Sequence, residues 1–231
     1  MRVAHFGHSC LLVEIDGVKI LFDPGTFSHG FEGITGLDAI AITHQHPDHI
    51  DPNRIEQLIE KNPQARLLSD PQTAQQRSEP WEGVRAGQIL TIGGVQAHPS
   101  PDHHPSTNHS VIQITGGGGR HAVIHPEIPV IDNTVFQLGT PEDPAQFVHP
   151  GDSLWVPSAP VGVLAVPTAA PWMRLSEAVD YLRAVSPRTA LPIHYGIIEP
   201  AAQGIYFGRL SEMRPADTEF KLIEPEDSAD F

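Results

Sequence analysis

Four residues able to bind metal fall within six positions of this chain, in His44-Gln45-His46-Pro47-Asp48-His49. In an extended chain His44 and His46, two apart, point to the same side. Asp48 and His49 are neighbours and cannot both continue that side. The backbone therefore has to turn through Pro47. A loop of this kind can present one pair of ligands to one ion and the other pair to a second. Apolar residues flank it, Ala39 to Ile42 before and Ile50 after, which sets it apart from a solvated histidine-rich stretch.

The rest of the chain narrows the chemistry. Fourteen histidines among 231 residues are many, and His98, His103, His104, His109, His121 and His125 are further candidate ligands. Cys10 is the only cysteine, so thiolate ligation and an internal disulfide are not expected. It sits in the apolar run Cys10-Leu11-Leu12-Val13 and reads as a small buried hydrophobe. No Gly-x-Ser-x-Gly or phosphate-binding Gly-Lys element occurs. Gly116 to Gly119, followed by Arg120, reads as a turn. A formal net charge of −14 without a Lys/Arg cluster disfavours nucleic acid and leaves a small-molecule substrate. The N-terminus lacks a secretory h-region, and no apolar run approaches the roughly 18 residues that span a bilayer. A cytoplasmic protein without a membrane partner is expected.

The elements that must position these residues are short. Val3 to Phe6, Cys10 to Ile15 and Val18 to Phe22 read as strands, with Asp16-Gly17 as a hairpin turn. Asp38 to Thr43 is a strand that ends at the histidines. Asp51-Pro52 reads as a helix start, with Ile55, Leu58 and Ile59 as its apolar face and an end near Asn62-Pro63. Arg66 to Leu68 reads as a strand and Pro71 to Gln76 as a short helix. Strands are expected at Gln88 to Ile92, Val95 to Ala97, Ser110 to Ile114, His121 to Ile124, Val135 to Leu138, Gln146 to Val148 and Val161 to Val166. His98 to His109 reads as a polar loop. A helix carries Leu175, Ala178, Val179 and Leu182, a strand runs from Thr189 to His194, a helix covers Ala201 to Met213, and Phe220 to Ile223 is the last strand. No stretch reads as a linker. The pattern predicts one layered α/β domain.

The motifs resemble those of the metallo-β-lactamase superfamily. His-x-His-x-Asp-His follows a strand, as in that family. Phe6-Gly7-His8-Ser9-Cys10, Phe22-Asp23-Pro24-Gly25, His149-Pro150-Gly151-Asp152-Ser153 and Pro192-Ile193-His194 match its remaining motifs. The sequence is most similar to the ascorbate-phosphate-lactonase-like branch of metal-dependent hydrolases, over nearly the whole chain.

The resemblance implies a four-layer αββα sandwich with two divalent metal ions at one sheet edge. Zinc is the expected metal, since neutral imidazole and carboxylate suit it; manganese and iron also accept this donor set. By position, His44 and His46 bind the first ion, Asp48 and His49 the second, Asp152 bridges, and His194 completes the second site. For the remaining first-site ligand His121 is preferred, at the start of an apolar run and at the family's usual spacing before the bridging aspartate. Asp23 is expected to orient a ligand histidine. His8 lies near the centre, with a structural role equally open. The implied reaction is hydrolysis of an ester, lactone or phosphoester-type bond in a small substrate. A hydroxide bridging the two ions attacks, and Asp48 or Asp152 moves a proton toward the leaving group. An iron-dependent oxidoreductase of the same fold and a non-catalytic metal-binding protein are the alternatives. The 98–109 loop is an expected surface loop, with a lid over the centre as the second reading.

Overall fold

Alternation along short strands decides the layering. The computed structural model describes residues 1–93 and 111–231. Within them, β1 (Arg2–His5), β2 (Leu11–Ile15), β3 (Val18–Phe22), β4 (Ala39–Ile42), β5 (Arg66–Ser69), β6 (Trp81–Gly83) and β14 (Ser228–Asp230) form one sheet, ordered β14-β1-β2-β3-β4-β5-β6. A second sheet runs β13-β12-β11-β10-β9-β8-β7. Its strands are β7 (Ile89–Ile92), β8 (Ile112–Gly118), β9 (Thr134–Gly139), β10 (Phe147–His149), β11 (Val163–Pro167), β12 (Thr189–Ile193) and β13 (Glu219–Phe220).

Successive residues of a strand face opposite sides of its sheet, and here both sides are apolar. Ile20, Phe22, Ala39 and Ala41 meet Phe136, Phe147, Ala165 and Leu191 between the sheets. The intervening Leu21, Ile40 and Ile42 face outward onto α1 (Ile55–Lys61) and α2 (Pro71–Arg77), through Ile55, Leu58 and Ala74. On the other sheet Val148, Leu164, Val166 and Ala190 face outward onto α3 (Leu175–Val185) and α4 (Pro200–Met213), through Ala178, Val179, Leu182 and Leu210. Three apolar layers thus separate four layers of structure, and the αββα sandwich expected from the sequence is what the chain forms. No helix among the described residues is long and apolar enough to cross a membrane.

Strands β3 to β6 are parallel, as are β10 to β13. Their carboxyl ends deliver the loops after Phe22, Ile42, His149 and Ile193 to one edge of the sandwich, the place where open α/β sheets bind ligands. The β2–β3 hairpin turns through Asp16 and Gly17, with φ of 50° and 85°, as its Asp-Gly pair requires.

Several expected elements differ. Asp51 does not start α1. Its Oδ1 accepts from Asn53 N and Arg54 N, closing a separate turn, and the helix begins at Ile55. Gly116 to Gly118 is not a turn but the end of β8. Glycine is needed there for close approach: a Cβ on Gly116 would lie 2.3 Å from Arg85 O. His121 to Ile124 is not a strand, because His121 N donates to Ile131 O and Ala122 N to Asp152 O, partners set by the loops. The expected last strand shortens to Glu219–Phe220, and Ser228–Asp230 adds a strand against β1. β6 carries too short a pattern to be read. The expected strand at Val95 to Ala97 and the loop His98 to His109 lie outside the described residues.

Asp70 caps α2, its Oδ1 accepting from Gln72 N and Thr73 N at 3.0 Å, while its Oδ2 is buried without a hydrogen-bond partner among the described residues. Burial raises its carboxyl to about 6, against the lowering effect of the Thr73 contacts. The native state therefore holds this proton more tightly than the unfolded chain, and the stability linked to it is lost as pH rises between about 4 and about 6. Asn at 70 keeps the accepting oxygen and does not titrate. The melting temperature of Asp70→Asn minus that of the parent is expected to grow across that interval and to level off above it. A difference independent of pH would contradict the assignment.

Candidate metal centre

Two clusters of ligand-type atoms lie at the carboxyl edge of the sheets. One joins His44, His46, His121 and Asp152; the other joins His8, Asp48, His49 and His194. The loop after β4 divides as its sequence suggested. His44 and His46 go to one cluster, and the turn at Pro47 sends Asp48 and His49 to the other. His49 N and Ile50 N both donate to His46 O, which tightens that turn. A close backbone approach locks it: a Cβ on Gly25 would stand 1.8 Å from Asp48 O.

Asp152 faces both clusters. Its Oδ1 lies 3.0 Å from His194 Nε2 and 3.2 Å from His49 Nε2, and its Oδ2 lies 3.2 Å from His121 Nε2. His49 Nε2, His121 Nε2, His194 Nε2 and Asp152 Oδ1 are buried, yet none has a hydrogen-bond partner among the described residues. Buried polar atoms are almost always satisfied, so converging orphans of this kind are what a cation site presents.

The outer nitrogens fix which ring atom faces inward. His49 Nδ1 donates to Asp23 Oδ2 at 2.6 Å, His121 Nδ1 to Ala122 O at 2.6 Å and His194 Nδ1 to Ala169 O at 2.6 Å. None of those oxygens can donate, so each Nδ1 carries a hydrogen, and it is Nε2 of each ring that faces inward, offering a lone pair whenever the ring is neutral. Thr43 Oγ1 donates to Asp23 Oδ2 at 2.7 Å and lies 3.1 Å from His44 Nδ1, so it accepts from that nitrogen. His44 Nε2 then faces inward, 3.0 Å from His46 Nδ1. Asp23 thus orients His49 directly, as expected, and His44 through Thr43. These donor atoms fit divalent metal ions such as zinc.

The electrostatics favour positive charge here. Burial pushes the Asp152 carboxyl up, but His194 and His49 outweigh this and hold it well below the usual range. Burial likewise opposes ionisation of Asp48, and hydrogen bonds from His194 and His8 reverse the effect. Burial lowers His194, yet Asp152 raises it to about 9. His44 is held well below its usual value, first by burial and then by His49. Two carboxylates therefore stay ionised in a buried site where the bound positive charge can be protons or metal.

All seven residues expected at the site are brought together, and His121 fills the first cluster. His125 is exposed and outside both. The other candidates for that position, His98, His103, His104 and His109, lie outside the described residues. His8 is the residue that sequence reasoning did not commit to the site. It follows β1, its Nε2 is 3.3 Å from Asp48 Oδ2, and its ring centroid is 4.0 Å from that of His194. Its φ is 50°, while Asp23 and His194 take 44° and 60°. Left-handed backbone at three non-glycine residues of one site is strain of the kind that gathers where geometry serves function. Trp172 was also missed. Its Nε1 donates to Asp152 Oδ2 at 2.7 Å, from a segment with no motif to mark it.

A family model described as beta-lactamase superfamily domain matches residues 2–194. Protein Rv0786c of Mycobacterium tuberculosis is 54% identical over 229 residues, covering 99% of each chain. A UPF0173 metal-dependent hydrolase, MK1542, of Methanopyrus kandleri is 27% identical and also covers 99% of each chain. Among solved structures, the metallo hydrolase Igni18 of Ignicoccus hospitalis superposes with a TM-score of 0.67 at 19% identity, over 100% of this chain and 98% of its own.

Removing the carboxylate behind His49 tests the role of Asp23. Asp23→Asn is expected to weaken metal binding by about 10- to 100-fold in competition with a chromogenic chelator. Unchanged affinity would contradict the orienting role.

Proposed function

This chain belongs to the beta-lactamase superfamily, and on that premise we propose that it is a metal-dependent hydrolase acting on an ester, lactone or phosphoester-type bond of a small substrate. The observation that carries this reading is Asp152, whose two oxygens face two separate sets of inward-aimed imidazole and carboxylate atoms. His44, His46 and His121 would hold one divalent ion, Asp48, His49 and His194 the other, and Asp152 would contact both. Zinc suits these donors best, with manganese and iron as the other candidates. Bound there, the pair of ions would supply an acidified water as nucleophile and positive charge for the developing oxyanion.

The chain's own residues supply the rest. The contacts with Asp23, Thr43, Ala122 O and Ala169 O keep the rings of His49, His44, His121 and His194 in place. Asp152 is nearly closed to solvent, whereas the Asp48 side chain keeps 23% exposure. Asp48 is therefore the better placed of the two to pass a proton to a departing group. His8 beside it keeps that carboxylate in position. The net charge of −14 accords with a small substrate over a nucleic acid.

The test is turnover of a panel of lactones, phosphodiesters and thioesters by metal-loaded protein. At least one member should be hydrolysed, the activity should disappear on chelation and return with metal, and a His44→Ala/Asp48→Ala double variant should stay at background. No turnover above that variant on any member would overturn the hydrolase reading in favour of a metal-binding role.

A further inference from the structure

Beside the proposed metal centre lies a cleft of about 460 Å³, within the roughly 300–1,000 Å³ typical of small-molecule sites. Trp172 is common to both. Its indole N–H reaches Asp152, its ring stands edge-on to His121 at 6.1 Å between centroids, and its side chain lines the cleft. A molecule in the cleft therefore rests against the residue that touches the shared carboxylate.

A second indole lines the same cleft. Trp155 lies against the glycine run at the end of β8. A Cβ on Gly117 would fall 2.6 Å from Trp155 Cζ3 and 2.8 Å from its Cη2, so only glycine leaves room for this ring. The backbone of Trp155 is tied down, its carbonyl accepting from Tyr181 OH at 3.0 Å and its N–H donating to Ser153 Oγ at 3.2 Å. Two fixed indoles form a wall that loses little side-chain freedom when a ligand binds. Val123, which also lines the cleft, leaves 56% of its surface exposed.

Two charged groups reach the same space. Glu177 is engaged, its Oε2 accepting from Arg174 N at 2.6 Å at the start of α3. Arg120 is exposed and belongs to no ion pair among the described residues. A guanidinium is suited to the paired oxygens of a carboxylate or phosphate, while flat apolar matter suits an indole face.

We propose that this cleft, between Trp155, Trp172 and Arg120, binds the non-reacting part of the substrate, and that the substrate is an organic anion: an oxyanion group, carboxylate or phosphate, joined to a flat apolar body. The catalytic use of the cleft rests on the hydrolase reading above; its capacity to bind does not. The glycine run at the end of β8 serves here as the seat of Trp155.

Phenylphosphonate is the probe, followed through the indole N–H resonances of ¹⁵N-labelled, metal-loaded protein, with the three tryptophans assigned by single Trp→Phe variants. Binding should move the Trp155 and Trp172 signals and leave Trp81, which packs in the other sheet's outer layer, in place. Arg120→Gln should weaken the affinity by about tenfold or more, the loss expected for one charge-assisted contact, and Arg120→Lys should restore part of it. Benzyl alcohol, with the ring and without the charge, should bind more weakly than phenylphosphonate and be insensitive to Arg120→Gln. Affinity for phenylphosphonate unchanged in Arg120→Gln, or shifts confined to Trp172, would place the anion at the metal centre alone and overturn the proposal. Metal content measured on the same samples, and the Arg120 comparison repeated after chelation, keep the two readings apart. Protein that retains no metal defeats the hydrolase reading, while the Arg120 dependence still reports on the cleft.

Discussion

The arrangement at the sheet edge depends on one buried carboxylate placed between two groups of imidazoles. Asp152 presents one oxygen to His49 and His194 and the other to His121, and a buried ionised carboxylate is costly unless compensated. In this chain the compensation is incomplete among the described residues: Oδ1 has no hydrogen-bond partner, and the three facing Nε2 atoms have none either. Trp172 satisfies Oδ2 from one side. The remaining demand for positive charge, in a space lined by imidazole and carboxylate atoms, is one that a metal ion suits. The strain at His8, Asp23 and His194, and the polar atoms left without partners, are costs that an interior of ordinary packing would have no reason to carry.

The scaffold holds these groups by backbone contacts across the two sheets. His194 N donates to His8 O, and Thr134 N donates to Thr43 O, so loops from both sheets are stitched together at the centre. Asn133 accepts from Asp152 N through Oδ1 and donates to Pro150 O through Nδ2, which fixes the loop that carries the shared carboxylate. Gly151 sits where a Cβ would meet Asn133 Oδ1 at 2.4 Å and Thr43 Cβ at 2.5 Å. Asp23 connects this packing to the chemistry, since it accepts from Thr43 N and Oγ1 and from His49. A single buried side chain therefore sets the orientation of a histidine in each cluster, one directly and one through a hydroxyl.

Much of this was legible from residue order. Local spacing was enough for the division of His44 and His46 from Asp48 and His49, because period-two geometry and a proline turn act within six residues. The strands were legible because alternating apolar residues serve two different interfaces, as Leu21 and Phe22 or Ile40 and Ala41 do. What failed was set by distant contacts. Gly116 to Gly118 looks like a turn until Arg85 and Trp155 press against it. His121 to Ile124 looks like a strand until its amides find partners in other loops. His8 could be placed near the centre from its motif, but its contact with Asp48 depends on the docking of two sheets. Trp172 left no trace in spacing, since its meaning lies in one hydrogen bond formed across twenty residues of chain.

On the proposed reading, Asp152 is shared between two metal ions. Anomalous diffraction from crystals of the metal-loaded protein, collected on both sides of the metal absorption edge, tests it most directly. The account predicts two peaks, one bounded by His44, His46 and His121 and the other by Asp48, His49 and His194, with Asp152 contacting both. A single peak at full occupancy, or metal bound away from Asp152, would contradict it.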